Sequence, residues 1–111
     1  MEISKADWKL FRERIGVWQE AYMDRLNREY IELLSGDGDA SDKFWALEKR
    51  IREDRSAPGV RLELKKSDVG WDLIRLLLDG VITIRDLDGF SEDLKDTVIH
   101  LTETRNNLYG E

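Results

Sequence analysis

Trp8, Phe11, Ile15, Trp18, Tyr22, Leu26, Tyr30 and Leu33 recur at steps of three and four, the spacing of one apolar stripe along an α-helix. Ser4 with Asp7 three residues on reads as a capping box, in which a hydroxyl and a carboxylate satisfy amides that have no partner at a helix start. A helix is therefore predicted from about Lys5 to about Leu34. Gly16 is its weak point, costing about 1 kcal/mol relative to Ala. At 100° per residue, Leu10, Val17, Ala21 and Ile31 fall about 140–220° from Trp8 and form a second apolar stripe. Two readings are open. A continuous helix leaves that stripe free for a second copy or another protein, whereas a break at Gly16 rotates both stripes inward.

Ser35 to Ser41 is a loop by composition, after which Phe44, Leu47 and Ile51 carry a shorter helix toward Arg55. Pro58 and Gly59 close it. Val60, Leu62 and Leu64 alternate with charged residues, so the segment near 60–65 is expected to be extended, at most a two-strand ribbon. The next helix, capped by Ser67 or Asp68, runs through Val69, Trp71, Leu73, Ile74, Leu76, Leu77 and Leu78. Apolar on nearly every side, it belongs in the middle of a bundle. Gly80 suits the left-handed geometry that follows a helix. Thr83 and Asp86 form a second capping box over one short turn, and Ser91 caps a last helix with Leu94, Val98, Leu101 and Leu108 as its buried stripe. The fold class is all-α, a compact bundle of four or five helices in a single domain over 1–111.

Composition narrows the chemistry. The 111 residues contain no Cys and one His, which excludes disulfides, thiolate metal sites and a cysteine nucleophile and accords with a reducing cytoplasm. The longest aliphatic run, Leu76 to Leu78, is far short of a membrane span, and the N-terminus lacks the apolar centre of a signal peptide. Net charge is −6, unevenly spread. Residues 43–66 hold eight basic and four acidic side chains, while 1–42 hold six and ten and 67–111 hold four and ten. Lys49, Arg50, Arg52 and Arg55 are thus candidates for binding nucleic acid or an acidic protein. The low overall pI argues against nucleic acid, whose non-specific affinity comes from net cationic surface.

The stretch "DGDASDKFWALE" places Asp37, Asp39, Ser41 and Glu48 at the first, third, fifth and twelfth positions of an EF-hand-like loop. Its sixth position is Asp42 where glycine is needed, at a cost of roughly 1–2 kcal/mol. The later "DGVITIRDLDGF" resembles only the second half of such a loop, with Arg75 and Leu77 in place of the first acidic ligands. Capping of a helix N-terminus explains Asp39, Ser41 and Asp42 without a metal, and weak calcium binding stands as the alternative.

His100 has no second His or Cys to complete a metal set, and the serines all fall at predicted caps or loops. No glycine-rich phosphate loop is present. The segments "KFWALEKRIREDR" and "VITIRDLDGFSEDLKD" resemble a family of short bacterial all-helical proteins, some labelled automatically as multidrug transporters. The resemblance implies no catalytic residue, cofactor or ligand. The expectation is a cytoplasmic, non-enzymatic protein without cofactors that acts through protein contacts, as a homodimer or with another protein.

Overall fold

The computed structural model describes the backbone of residues 1–109 and the side chains of 1–106. Its elements are α1 (Lys5–Ser35), α2 (Ala40–Asp54), α3 (Val69–Leu78) and α4 (Glu92–Tyr109), with single 3₁₀ turns at Lys66–Asp68 and Ile84–Leu87. The all-α bundle expected from the periodicity is present. It is drawn out along α1, whose 31 residues span ~46 Å at 1.5 Å each. The molecule measures 52 × 32 × 21 Å with a radius of gyration of 16.6 Å, against about 13 Å for a spherical domain of this length.

α1 divides into two parts by what it touches. Its first half contributes Phe11, Ile15 and Trp18 to a core completed by Val69, Leu73, Ile74 and Leu76 of α3 and Leu94 and Val98 of α4. Phe11 and Trp18 meet edge to face at 6.3 Å, an arrangement favoured by the ring quadrupoles. Its second half runs beyond this head and pairs with α2 as an antiparallel helical arm. The arm is locked by Tyr30, whose hydroxyl donates to Asp54 at 2.7 Å, and by Arg50, which reaches Glu29 at 2.8 Å and Asp54 at 3.5 Å. Burial, then the bond to Asp54, pushes the Tyr30 phenol up to about 12, because ionisation would set a second negative charge against that carboxylate.

The head is closed by a carboxylate. Ser4 Oγ accepts from the Asp7 amide at 3.0 Å, as the capping box requires. The Asp7 side chain, however, turns inward and accepts from the amide and hydroxyl of Ser91 at 2.9 and 2.6 Å. Ser91 Oγ in turn accepts from the Leu94 amide at 3.4 Å. The N-termini of the first and last helices are thereby joined across 84 residues of sequence.

Elsewhere α1 gathers loop carbonyls. Gln19 donates to Pro58 O and Arg25 to Gly80 O, each at 3.0 Å. Arg14 donates to Asp86 O at 3.0 Å and also to Asp88 O. Two glycines permit the close approaches. A Cβ on Gly59 would lie 2.7 Å from Cγ of Tyr22. Gly89, at φ +97°, leaves room for Arg14 and Leu10, whose atoms would stand 2.9 and 3.2 Å from a Cβ there.

Several sequence expectations meet their structural counterparts. Gly80 adopts φ +73°, and Thr83 with Asp86 forms a complete capping box. Residues 61–65 are an extended connection, with no strand among the described residues; Leu62 packs against the core and Leu64 is exposed. Leu94 and Val98 are buried and Leu101 half-buried, while the Leu108 side chain lies outside the described residues. Asp39 and Asp68 stand at the N-cap positions of α2 and α3, though without a side-chain cap bond, and Asp42 stands in the first turn of α2, where the helix dipole favours an acid.

Continuity through Gly16 removes the broken-helix reading. A Cβ at Gly16 would meet nothing within 4 Å, so only backbone freedom is at stake. Gly16→Ala is expected to stabilise the fold by about 1 kcal/mol, measured by urea unfolding; a loss of stability would show that the helix needs the glycine.

Candidate functional site

The four proposed calcium ligands are not brought together. Asp37 and Asp39 lie in the loop at the tip of the arm, Ser41 is in the first turn of α2, and Glu48 is two turns on. Glu48 is held by Arg52 through two hydrogen bonds, that from Nε measuring 3.1 Å. Among the described residues no group of three or more His, Cys, Asp or Glu side chains converges at metal-ligand spacing.

Nor do the four cations form one surface. Arg50 is spent on Glu29 and Asp54, and Arg52 on Glu48. At 100° per residue Arg50 stands apart, while Lys49, Arg52 and Arg55, spaced by three, share one exposed side of α2.

The second stripe of α1 also divides. Leu10 packs against the core beneath Gly89. Val17, Ala21 and Ile31 are exposed.

A concavity of about 920 Å³ lies between the N-terminal segment, Trp71 of α3 and the first turns of α4. Asp7 and Ser91 line it, yet their polar atoms are committed to one another.

One buried ionisable group stands outside that concavity. Asp72, 5% exposed, lies on the head-facing side of α3 with Oδ2 lacking any hydrogen-bond partner among the described residues. Burial, and secondarily the charge of Asp68, raises its carboxyl to about 6 against the partial pull of Arg75, 3.8 Å away. The sequence carried the signal, a lone acid inside the apolar run "VGWDLIRLLL", and the sequence reading passed over it.

The feature that sequence reasoning missed is on the arm. α2 has no buried residue; Phe44 is 61% and Ile51 43% exposed, as is Leu34 of α1 at 43%. Three shallow concavities run end to end along the seam between α1 and α2. The first, at the tip, is bounded by Leu34, Gly38 and Phe44; the second by Phe44, Leu47 and Ile51; the third by Ile51, Tyr30 and Leu26. Phe44 and Leu47 belong to the first two, Ile51 and Arg55 to the last two. The result is a continuous apolar seam on one side of the arm. Its signal in the sequence is the stripe Phe44, Leu47, Ile51, whose spacing predicts the helix but not whether that face is covered.

Compared with protein-family models, with curated proteins and with solved structures, the chain matches none.

Asp72 sets a pH dependence of unusual sign. Its folded value, about 6, lies above the ordinary 3.8, so the folded state binds the extra proton between these limits and loses stability as pH rises through that window. Asp72→Asn is expected to stabilise the protein at pH 7.5, by on the order of 1–3 kcal/mol. The gain should vanish near pH 4. Thermal melts of both proteins across this range check it, and an equal gain at both ends would contradict it.

Proposed function

We propose that this chain is a cytoplasmic, non-enzymatic contact protein whose α1–α2 arm is the contacting element. One observation carries the reading: the arm extends beyond the core and presents a continuous seam of Leu34 from α1 with Phe44, Leu47 and Ile51 from α2, a helix that buries none of its own residues. Contiguous exposed apolar surface rimmed by charge marks an interaction site in a folded protein. Aromatic residues are enriched at the centre of such sites.

The chemistry of the remaining surface supports contact over turnover. Asp7 and Ser91 stabilise the fold, Glu48 and Arg52 neutralise one another, and Asp72 is enclosed in the head. Among the described residues no helix is long and apolar enough to cross a membrane, and a chain without Cys accords with a reducing compartment. The resemblance to short bacterial helical proteins brings no activity to this reading.

A photoreactive amino acid in place of Ile51, on the seam, is expected to give a discrete protein adduct on irradiation of intact cells. The same group in place of His100, exposed on α4, should give none. Phe44→Glu should abolish the seam adduct. Equal labelling from both positions would contradict a contact role for the arm.

A further inference from the structure

Two cations on the seam have nothing to balance them. Lys43 bounds the concavity at the tip and Arg55 the two nearer the head, and neither side chain has a hydrogen bond or ion pair among the described residues. The other charges that line it are settled. Glu48 accepts two hydrogen bonds from Arg52, while Asp54 accepts from Tyr30 and pairs with Arg50. Asp37, Asp39 and Asp42 crowd the tip but line none of the three concavities. In a chain of net charge −6, the open charge along this apolar surface is therefore positive at both of its ends.

That charge selects among occupants. Laid against its own copy, the seam would set Lys43 against Lys43 when parallel and Lys43 against Arg55 when antiparallel, like charges in either direction. Nucleic acid would neutralise the cations but has no aliphatic surface to cover Leu34, Leu47 and Ile51. A flat anionic bilayer would meet the three acids at the tip and would not reach into a furrow between two helices. An acidic segment of another protein, carrying apolar side chains of its own, satisfies both the cations and the furrow.

The form of that segment follows from the backbone. An apolar groove admits a chain whose amides and carbonyls are already paired, and an arm made of helices has no strand edge to which an extended segment would add. A helix meets both conditions, lying between α1 and α2 as the third member of a bundle. Lys43 and Arg55 stand twelve residues apart, ~18 Å along the axis of α2, so roughly three turns of a partner helix span them. Phe44 is held edge to face by Trp45 at 4.9 Å, which places an aromatic anchor on the seam with less ordering left to do on binding.

We infer that the seam binds an acidic amphipathic helix of another protein, whose apolar residues at i, i+3 or i+4 and i+7 lie along the furrow and whose carboxylates near each end meet Lys43 and Arg55. The inference rests on the reading of the arm as a contact surface and specifies the chemistry of the partner.

Selection from a random library of displayed peptides, each about 16 residues long, tests it. The immobilised protein should enrich sequences that combine the i, i+3 or i+4, i+7 apolar pattern with net negative charge. The most enriched peptide, synthesised with a fluorescent label, should bind about fivefold more weakly to Lys43→Glu or to Arg55→Glu in anisotropy titrations. Phe44→Glu should abolish its binding while helical circular dichroism is retained. The decisive arm is a charge exchange. A peptide with its terminal acids changed to lysine should lose affinity for the original protein and regain it for the variant carrying both Lys43→Glu and Arg55→Glu, a gain that damage to the fold cannot produce. Enriched peptides without a negative bias, or no enrichment, overturn the acidic partner alone, because the adduct formed through residue 51 tests the seam separately. Acidic peptides that bind Phe44→Glu unchanged overturn the seam as their site. Co-sedimentation with phosphatidylglycerol vesicles, or a molar mass that doubles with concentration, either of them lost in Phe44→Glu, would replace the acidic helix with a membrane or a second copy.

Discussion

The bond between Asp7 and Ser91 is the constraint on which the rest of the architecture depends. A carboxylate placed in the first turn of a helix ordinarily serves that helix. Here Ser4 alone caps α1, and Asp7 is released to accept two hydrogen bonds from the residue that caps α4. A charged acceptor strengthens both bonds, and each donor, amide and hydroxyl, would otherwise lack a partner in a part-buried place. With the two helix starts held together, Phe11, Ile15 and Trp18 can stand only against α3 and α4. The direction in which the remaining turns of α1 leave the head is then set.

That direction makes the arm. A helix half inside a core and half outside it needs something to cover its second half, and α2 does so incompletely. Its polar side-chain contacts with α1 are a phenol on a carboxylate and a guanidinium shared between two acids, which fix geometry, while no residue of α2 itself is buried. The apolar residues that a stable helical pair would normally enclose instead lie along one side. Buried core is concentrated in the head and exposed apolar surface in the arm.

Most of the helices were legible in the chain because their signals are local. The stripe from Trp8 to Leu33, the box at Thr83 and Asp86, the glycine at 80 and the serine at 91 each report on neighbours within four residues, and each is where the pattern places it. Whether apolar residues face a core or solvent is decided by distant segments. Phe44, Leu47 and Ile51 have the spacing of a buried stripe, yet no element folds over them. Leu10 looked surplus until the turn at Gly89 came across it. Asp7 was read as a local cap because nothing in its surroundings reveals a serine 84 residues away. Asp39 and Asp42 stand at the N-cap and in the first turn of α2 as the local pattern places them, but whether Asp39 also closes a cap bond is a matter of side-chain direction that the pattern does not carry, and it makes none.

Amide hydrogen exchange followed by mass spectrometry tests most directly the division between a self-sufficient head and an incompletely covered arm. Peptides from α4 and the first half of α1 should exchange slowly, while peptides spanning residues 40–54 should exchange quickly. Protection of α2 equal to that of α4 would contradict it, since the arm would then be complete within one chain.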